Sequence, residues 1–198
     1  MKNLPYLVFA LALSFLFAGF GLSAKAQDKV EREKKVKKSE VPSPAKKWLK
    51  DAFETLKSPK WYLETNESGY SYEAKFKWND QYYSVEFDSL GVIEDVEIEL
   101  NFEELAAEVQ QNLNQYFSEG YKNYKIRRLQ IQYSGHPDDL EDLFDENEME
   151  GLEVRYEIEF VGTDIDGLSQ FWEGLFDEKG VFISRRKIIT PPNENLIF

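Results

Sequence analysis

The chain of 198 residues has no cysteine, one histidine and two methionines. Without cysteine there can be no disulfide, thiolate zinc site or thiol nucleophile, so the folded body depends on its apolar core. The single histidine, in Ser134-Gly135-His136-Pro137, would have to serve any histidine metal cluster or Ser-His-Asp triad alone, and no Gly-x-Ser-x-Gly accompanies it. His136 therefore reads as a solvent-facing loop residue. Positive charge is also scarce: 24 Lys and Arg stand against 37 Asp and Glu, a formal net charge of −13. Such a body repels phosphate backbones and anionic bilayers, so no nucleic-acid partner is expected.

Long apolar runs are absent except at the N-terminus. There MKNLPYLVFALALSFLFAGFGLSAKAQ carries one early Lys, an apolar stretch from Leu4 to about Leu22, and Ser23-Ala24-Lys25-Ala26. This is signal-peptide grammar with cleavage after Ala26, so the membrane is met only through residues 1–26 before cleavage, and the chain is expected in the periplasm or secreted. Removing those residues takes away two lysines and no acids, which moves the formal charge to −15. Residues 27–44 are rich in Lys and Glu, end in Pro42 and Pro44, and read as a charged linker.

Beyond the linker the hydrophobic period switches between helix and strand. Ser43-Pro44 opens a helix whose stripe is Leu49, Ala52, Phe53 and Leu56, and Pro59 stops it. Period-two alternation follows from Tyr70 to Trp78 and again from Tyr83 to Phe87. Asp88-Ser89-Leu90-Gly91 then turns the chain into a strand with Val96 and Ile98 on one side and Asp95, Glu97 and Glu99 on the other. The order starts over at Asn101. Asn101 and Glu104 form a capping-box pair, Leu105, Val109, Leu113 and Phe117 make a helical stripe, and strands follow near Ile126–Tyr133 and Val154–Phe160. Phe176-Asp177-Glu178-Lys179-Gly180 repeats the pattern of Phe87 to Gly91 before a last strand from Val181 to Ile189.

This pattern predicts an α+β fold of two α-β-β-β(-β) repeats, with antiparallel sheet and one helix per repeat packed on a sheet face. The expected divisions are a signal peptide at 1–26, a linker at 27–44, repeats at 45–100 and 101–190, and a tail at 191–198. A lone repeat would have a thin core, so the two should join edge to edge or pack together.

Tyr83-x-Val85-x-Phe87-Asp88-x-x-Gly91, the helix with Val109, Leu113 and Phe117, Ile126-x-x-Leu129, Tyr156-x-Ile158 and Phe176-Asp177-x-x-Gly180 together resemble the PepSY-like proteins. Those are exported bacterial domains whose fold is compared with that of the beta-lactamase inhibitor proteins. The resemblance spans roughly residues 60–190. It implies a non-catalytic envelope or secreted protein that binds a protein or peptide partner, with inhibition as one form of that binding. It brings no catalytic residue and no cofactor.

Four residues are candidates for partner contact. Tyr82 and Phe171 fall on the strand face opposite their core-directed neighbours, at equivalent places in the two repeats. Arg185 and Arg186 stand on the last strand, where the first repeat has Asp95, Glu97 and Glu99. The alternative is a small-ligand or cation module, calcium included, using the acidic run 138–150, although Leu140, Leu143 and Phe144 interleave there at helical spacing and no EF-hand glycine is in place. Asp164-x-Asp166-Gly167 with Glu173 matches part of an EF-hand loop but lacks the first ligand and reads as a hairpin turn. Glu97/Glu99 and Glu157/Glu159 lie on polar strand faces and read as ordinary solvation rather than as paired catalytic acids.

Overall fold

The computed structural model describes residues 28–29, 32–53, 55–66 and 69–189. The expected signal peptide and C-terminal tail lie outside them. In chain order the strands are β1 (Asp28–Lys29), β2 (Arg32–Val36), β3 (Lys60–Asn66), β4 (Gly69–Trp78), β5 (Gln81–Phe87), β6 (Ile93–Glu99), β7 (Asn123–Ser134), β8 (Glu153–Thr163), β9 (Ser169–Asp177) and β10 (Phe182–Ile188). The helices are α1 (Ser43–Ala52), α2 (Ala107–Gly120) and α3 (Pro137–Asp145). All strands form one sheet in the order β1-β10-β9-β8-β7-β6-β5-β4-β3-β2. It is an antiparallel meander from β2 to β10, with β1 added parallel on the β10 edge.

Each half of this α+β fold runs helix, then four strands. The halves meet edge to edge through β6 and β7, where Ile98 opposes Ile131. Alternation decides what each strand buries. In the first half Ala74, Phe76, Tyr83, Val85, Phe87 and Val96 turn inward under Ala45, Trp48, Leu49 and Ala52 of α1. In the second, Leu129, Tyr156, Ile158, Phe160 and Phe176 pack under Val109, Leu113 and Phe117 of α2.

The two look-alike turns close with the same hydrogen bonds. Asp88 N–H donates to Val92 O at 2.8 Å and Gly91 N–H to Asp88 O at 2.9 Å, while the Asp88 carboxylate accepts from Leu90 N and Val92 N. Asp177 repeats the set with Val181, Gly180 and Lys179. Gly91 and Gly180 take φ of 86° and 78°, and each lies under its own helix: an added Cβ would come 2.8 Å from Pro42 Cβ or 2.9 Å from Val109 O. Glycine is needed there both for the turn and for the close approach.

Several expectations are corrected. The stretch 27–44 is not a free tether: Arg32–Val36 pairs antiparallel with β3, and Val41 is buried in the first core. Its Lys and Glu side chains suit an edge strand, because charge along an open ladder discourages further pairing. Helix α1 ends at Ala52, before Leu56. The Asn101–Glu104 box closes a single 3₁₀ turn, Phe102–Glu104, and α2 begins later, at Ala107. The two adjacent arginines that interrupt the alternation of β7 mark a bulge, since the register with β8 shifts between Ile126 and Arg128. Finally, 137–145 is a helix that docks on the other half. Leu140 is fully buried in the first core, Phe144 lies 4.6 Å from Phe53 between ring centroids, and the Trp48 indole N–H donates to Pro137 O at 3.0 Å. The halves are therefore not copies in detail, because nothing equivalent to α3 joins β3 to β4.

Candidate functional site

All three helices contribute buried residues to the cores on one face of the sheet. The other face carries the alternate residues of every strand, and among the described residues no helix covers it. One depression of about 450 Å³ on this open face is lined by residues from Glu64 on β3 to Arg186 on β10. Seven strand spacings separate these strands, about 33 Å in a flat sheet, so the face curls into a trough.

The trough floor is polar and yet removed from water. The buried polar residues Glu73, Ser84, Glu97, Gln130 and Glu173 all belong to it. Hydrogen bonds hold them: Ser84 Oγ to Glu73 Oε1 at 2.6 Å, Gln130 Nε2 to Glu97 Oε2 at 2.7 Å, and Arg186 Nε to Glu173. Register sets carboxylates side by side, with Glu73 opposite Glu86 and Glu86 opposite Asp95. Burial, then the charges of Asp95, Glu97, Glu64 and Glu73, push the Glu86 carboxyl well above the usual carboxylate range. Burial does the same to Glu97, with Glu157 and Asp95 adding to it and Arg128 opposing. Lys75 is the counterweight at the β3–β4 side. Its ammonium sits 2.9 Å from Glu73 and 3.2 Å from Glu33; burial opposes its charge, but the two carboxylates outweigh that and raise its pKa.

Glu97 therefore does not read as ordinary solvation: at 6 % exposure it is part of a hydrogen-bonded floor. Like charges placed in adjacent strands and dehydrated cost stability, and such departures from good packing rules concentrate at functional surfaces. The opposite charges of the return strands β6 and β10 also come together, because Asp95, Glu97, Glu157 and Arg186 line the same depression.

Tyr82 projects from this face and is 60 % exposed. Phe171 shares the face, since its neighbour Trp172 packs on the second core, but it lies four strands from Tyr82, about 19 Å across a sheet. Arg186 lines the trough and is already paired with Glu173. Arg185 is turned towards the helix side: it opposes Gly174, stacks its guanidinium 4.5 Å from the Trp172 ring and donates to Tyr121 Oη. Three of the four candidates thus share the open face, and Tyr82 and Phe171 lie too far apart to touch.

The remaining candidates have structural duties. The His136 side chain is exposed and caps α3, accepting from Asp138 N at 3.4 Å. Asp164 makes a third turn of the Asp88 kind, its carboxylate accepting from Leu168 N at 2.8 Å and Gly167 closing at φ 86°. The acids of 138–145 lie on a helix anchored by Leu140, and among the described residues none of them belongs to a group of three close enough to share a metal ion. Three carboxylates that do approach one another, Glu33, Glu64 and Glu73, already have the Lys75 ammonium beside two of them. The sequence signals for the trough were weak, because strand alternation marks a polar face without showing that it curls and dries.

No family model matches the sequence, and no curated protein matches it. Solved structures share the fold. A DUF2874 family protein from Bacteroides uniformis aligns with 74 % of this chain and 89 % of its own at 15 % identity and a TM-score of 0.51. A second DUF2874 family protein, from Bacteroides ovatus, aligns with 74 % and 87 % at 16 % identity and a TM-score of 0.50. A candidate periplasmic protein from Bacteroides eggerthii aligns with 77 % and 93 % at 15 % identity and a TM-score of 0.52.

Proposed function

We propose that this chain is an exported, non-enzymatic module of the PepSY-like kind that binds a protein or peptide partner across the trough of its sheet, in the periplasm or outside the cell. The observation that carries the reading is the asymmetry of the sheet: one face is sealed by helices, while the other is left open, curved and furnished with both signs of charge. Export is supported by the N-terminal signal grammar and by the shared fold with a candidate periplasmic protein. A surface of this width, with an exposed Tyr82 and a charged floor, suits an extended partner better than a small substrate. Among the described residues the buried carboxylates are held by glutamine, serine and cations or crowd one another, an arrangement that supports a binding surface. The tandem PepSY-like relationship of the halves is part of this proposal and rests on the matching turns and core spacing.

The test is affinity capture from an envelope extract, comparing wild type with Tyr82→Ala plus Phe171→Ala. The expected result is loss of at least one specifically retained protein from the double variant. Equal recovery of every retained protein would remove these two residues from the contact surface.

A further inference from the structure

The trough is not uniformly acidic. At the end of the open face formed by β3, β4 and β5, a separate depression of about 460 Å³ is lined by Lys57, Lys60, Lys75, Lys77 and Arg128, with Glu99 its one acid. This concentration of positive charge stands out in a chain of net charge −13. Lys60 and Lys75 are direct cross-strand partners, a like-charge pairing that the Glu73 and Glu33 carboxylates beside Lys75 offset in part. Two tyrosines wall the space: the Lys75 ammonium sits 5.2 Å from the Tyr62 ring centre and the Lys77 ammonium 5.8 Å from that of Tyr82. Some of the cations have internal counter-ions, Lys75 in Glu73 and Glu33, Lys77 in Asp80, and Arg128 in Glu159. Lys57 and Lys60 make no ion pair or hydrogen bond among the described residues.

We infer that this depression is a binding site for a compact polyanion, a small molecule carrying two or more oxyanion charges. The volume is within the range of small-ligand sites. Lys57 and Lys60, which have no ion pair among the described residues, together with the partly neutralised Lys75 and Lys77, offer a multivalent oxyanion more attraction than a monovalent ion receives. The adjacent carboxylates, Glu73, Glu86 and Glu97, set the limit on size. An acidic chain extended along the trough would run from the lysines into that row, whereas a compact anion stays clear of it. This inference does not rest on the partner-binding proposal, although Tyr82 belongs to both surfaces.

The test is calorimetric titration with inorganic pyrophosphate at fixed ionic strength, with sodium chloride and tetraglutamate as comparisons. The expected result is one saturable site that weakens at least tenfold in the Lys57→Gln/Lys60→Gln variant, with wild-type amide shifts confined to residues 57–62, 75–77 and 82. Both lysines are exposed, so the variant should keep its fold, which circular dichroism checks. No saturable pyrophosphate binding, equal affinity in the variant, or tetraglutamate binding as tightly as pyrophosphate would each overturn the inference.

Discussion

At the scale of residues, the trough floor sets a pH dependence whose sign follows from its carboxylates. Glu86 and Glu97 have pKa values above the ordinary 4.5, chiefly because they are buried and secondarily because other acids surround them. The folded chain therefore keeps protons that the unfolded chain has released, and stability falls as pH rises from 4.5 through the raised values. These two groups should make the melting temperature higher at about pH 5.5 than at about pH 7.5. Glu86→Gln should shrink that difference and stabilise the protein at neutral pH, because the amide fills the same space without a charge. An unchanged pH slope in the variant, followed by differential scanning calorimetry, would place the effect elsewhere. None of this was visible in the sequence, where Glu86, Glu97 and the exposed Glu99 are alike as acids on polar strand positions.

At the scale of elements, α3 does most to bind the halves together beyond the β6–β7 ladder. It belongs by sequence to the second half, yet Leu140 and Phe144 fill the core beneath α1. Leu140→Ala should destabilise the protein by about 2–5 kcal/mol, the range for a buried leucine truncated where the surroundings cannot collapse. Urea unfolding followed by tryptophan fluorescence measures it, and a loss under about 1 kcal/mol would mean that α3 is peripheral. Period and turn chemistry made most strands and α2 legible, and the Asp-x-x-Gly turns marked the hairpins before any coordinates did. The same reasoning overlooked β2, whose Arg-Glu-Lys-Lys-Val composition resembles a solvated linker, because pairing at an edge needs backbone groups and little side-chain hydrophobicity. The helical spacing of Leu140, Leu143 and Phe144 pointed to the helix at 137–145 but not to its docking, because their burial depends on the other half of the chain.

At the scale of the whole molecule, one meander with helices on a single side leaves a broad surface that no helix among the described residues covers. That the halves join was foreseeable from the thin core that either would have alone, whereas the choice of edge-to-edge joining over packing together was not. The curl was not, because it arises from the accumulated twist of many strands and no local pattern encodes it. It is the curl that brings Glu64 of β3 and Arg186 of β10 to one depression and turns a polar strand face into a candidate interface. The most direct measurement is site-specific photo-crosslinking in the envelope of a producing cell, with p-benzoylphenylalanine placed either at Tyr82 on the open face or at the exposed Gln111 on α2. The account predicts a discrete crosslinked product from Tyr82 and none from Gln111. Products from Gln111 alone, or from neither position, would contradict it.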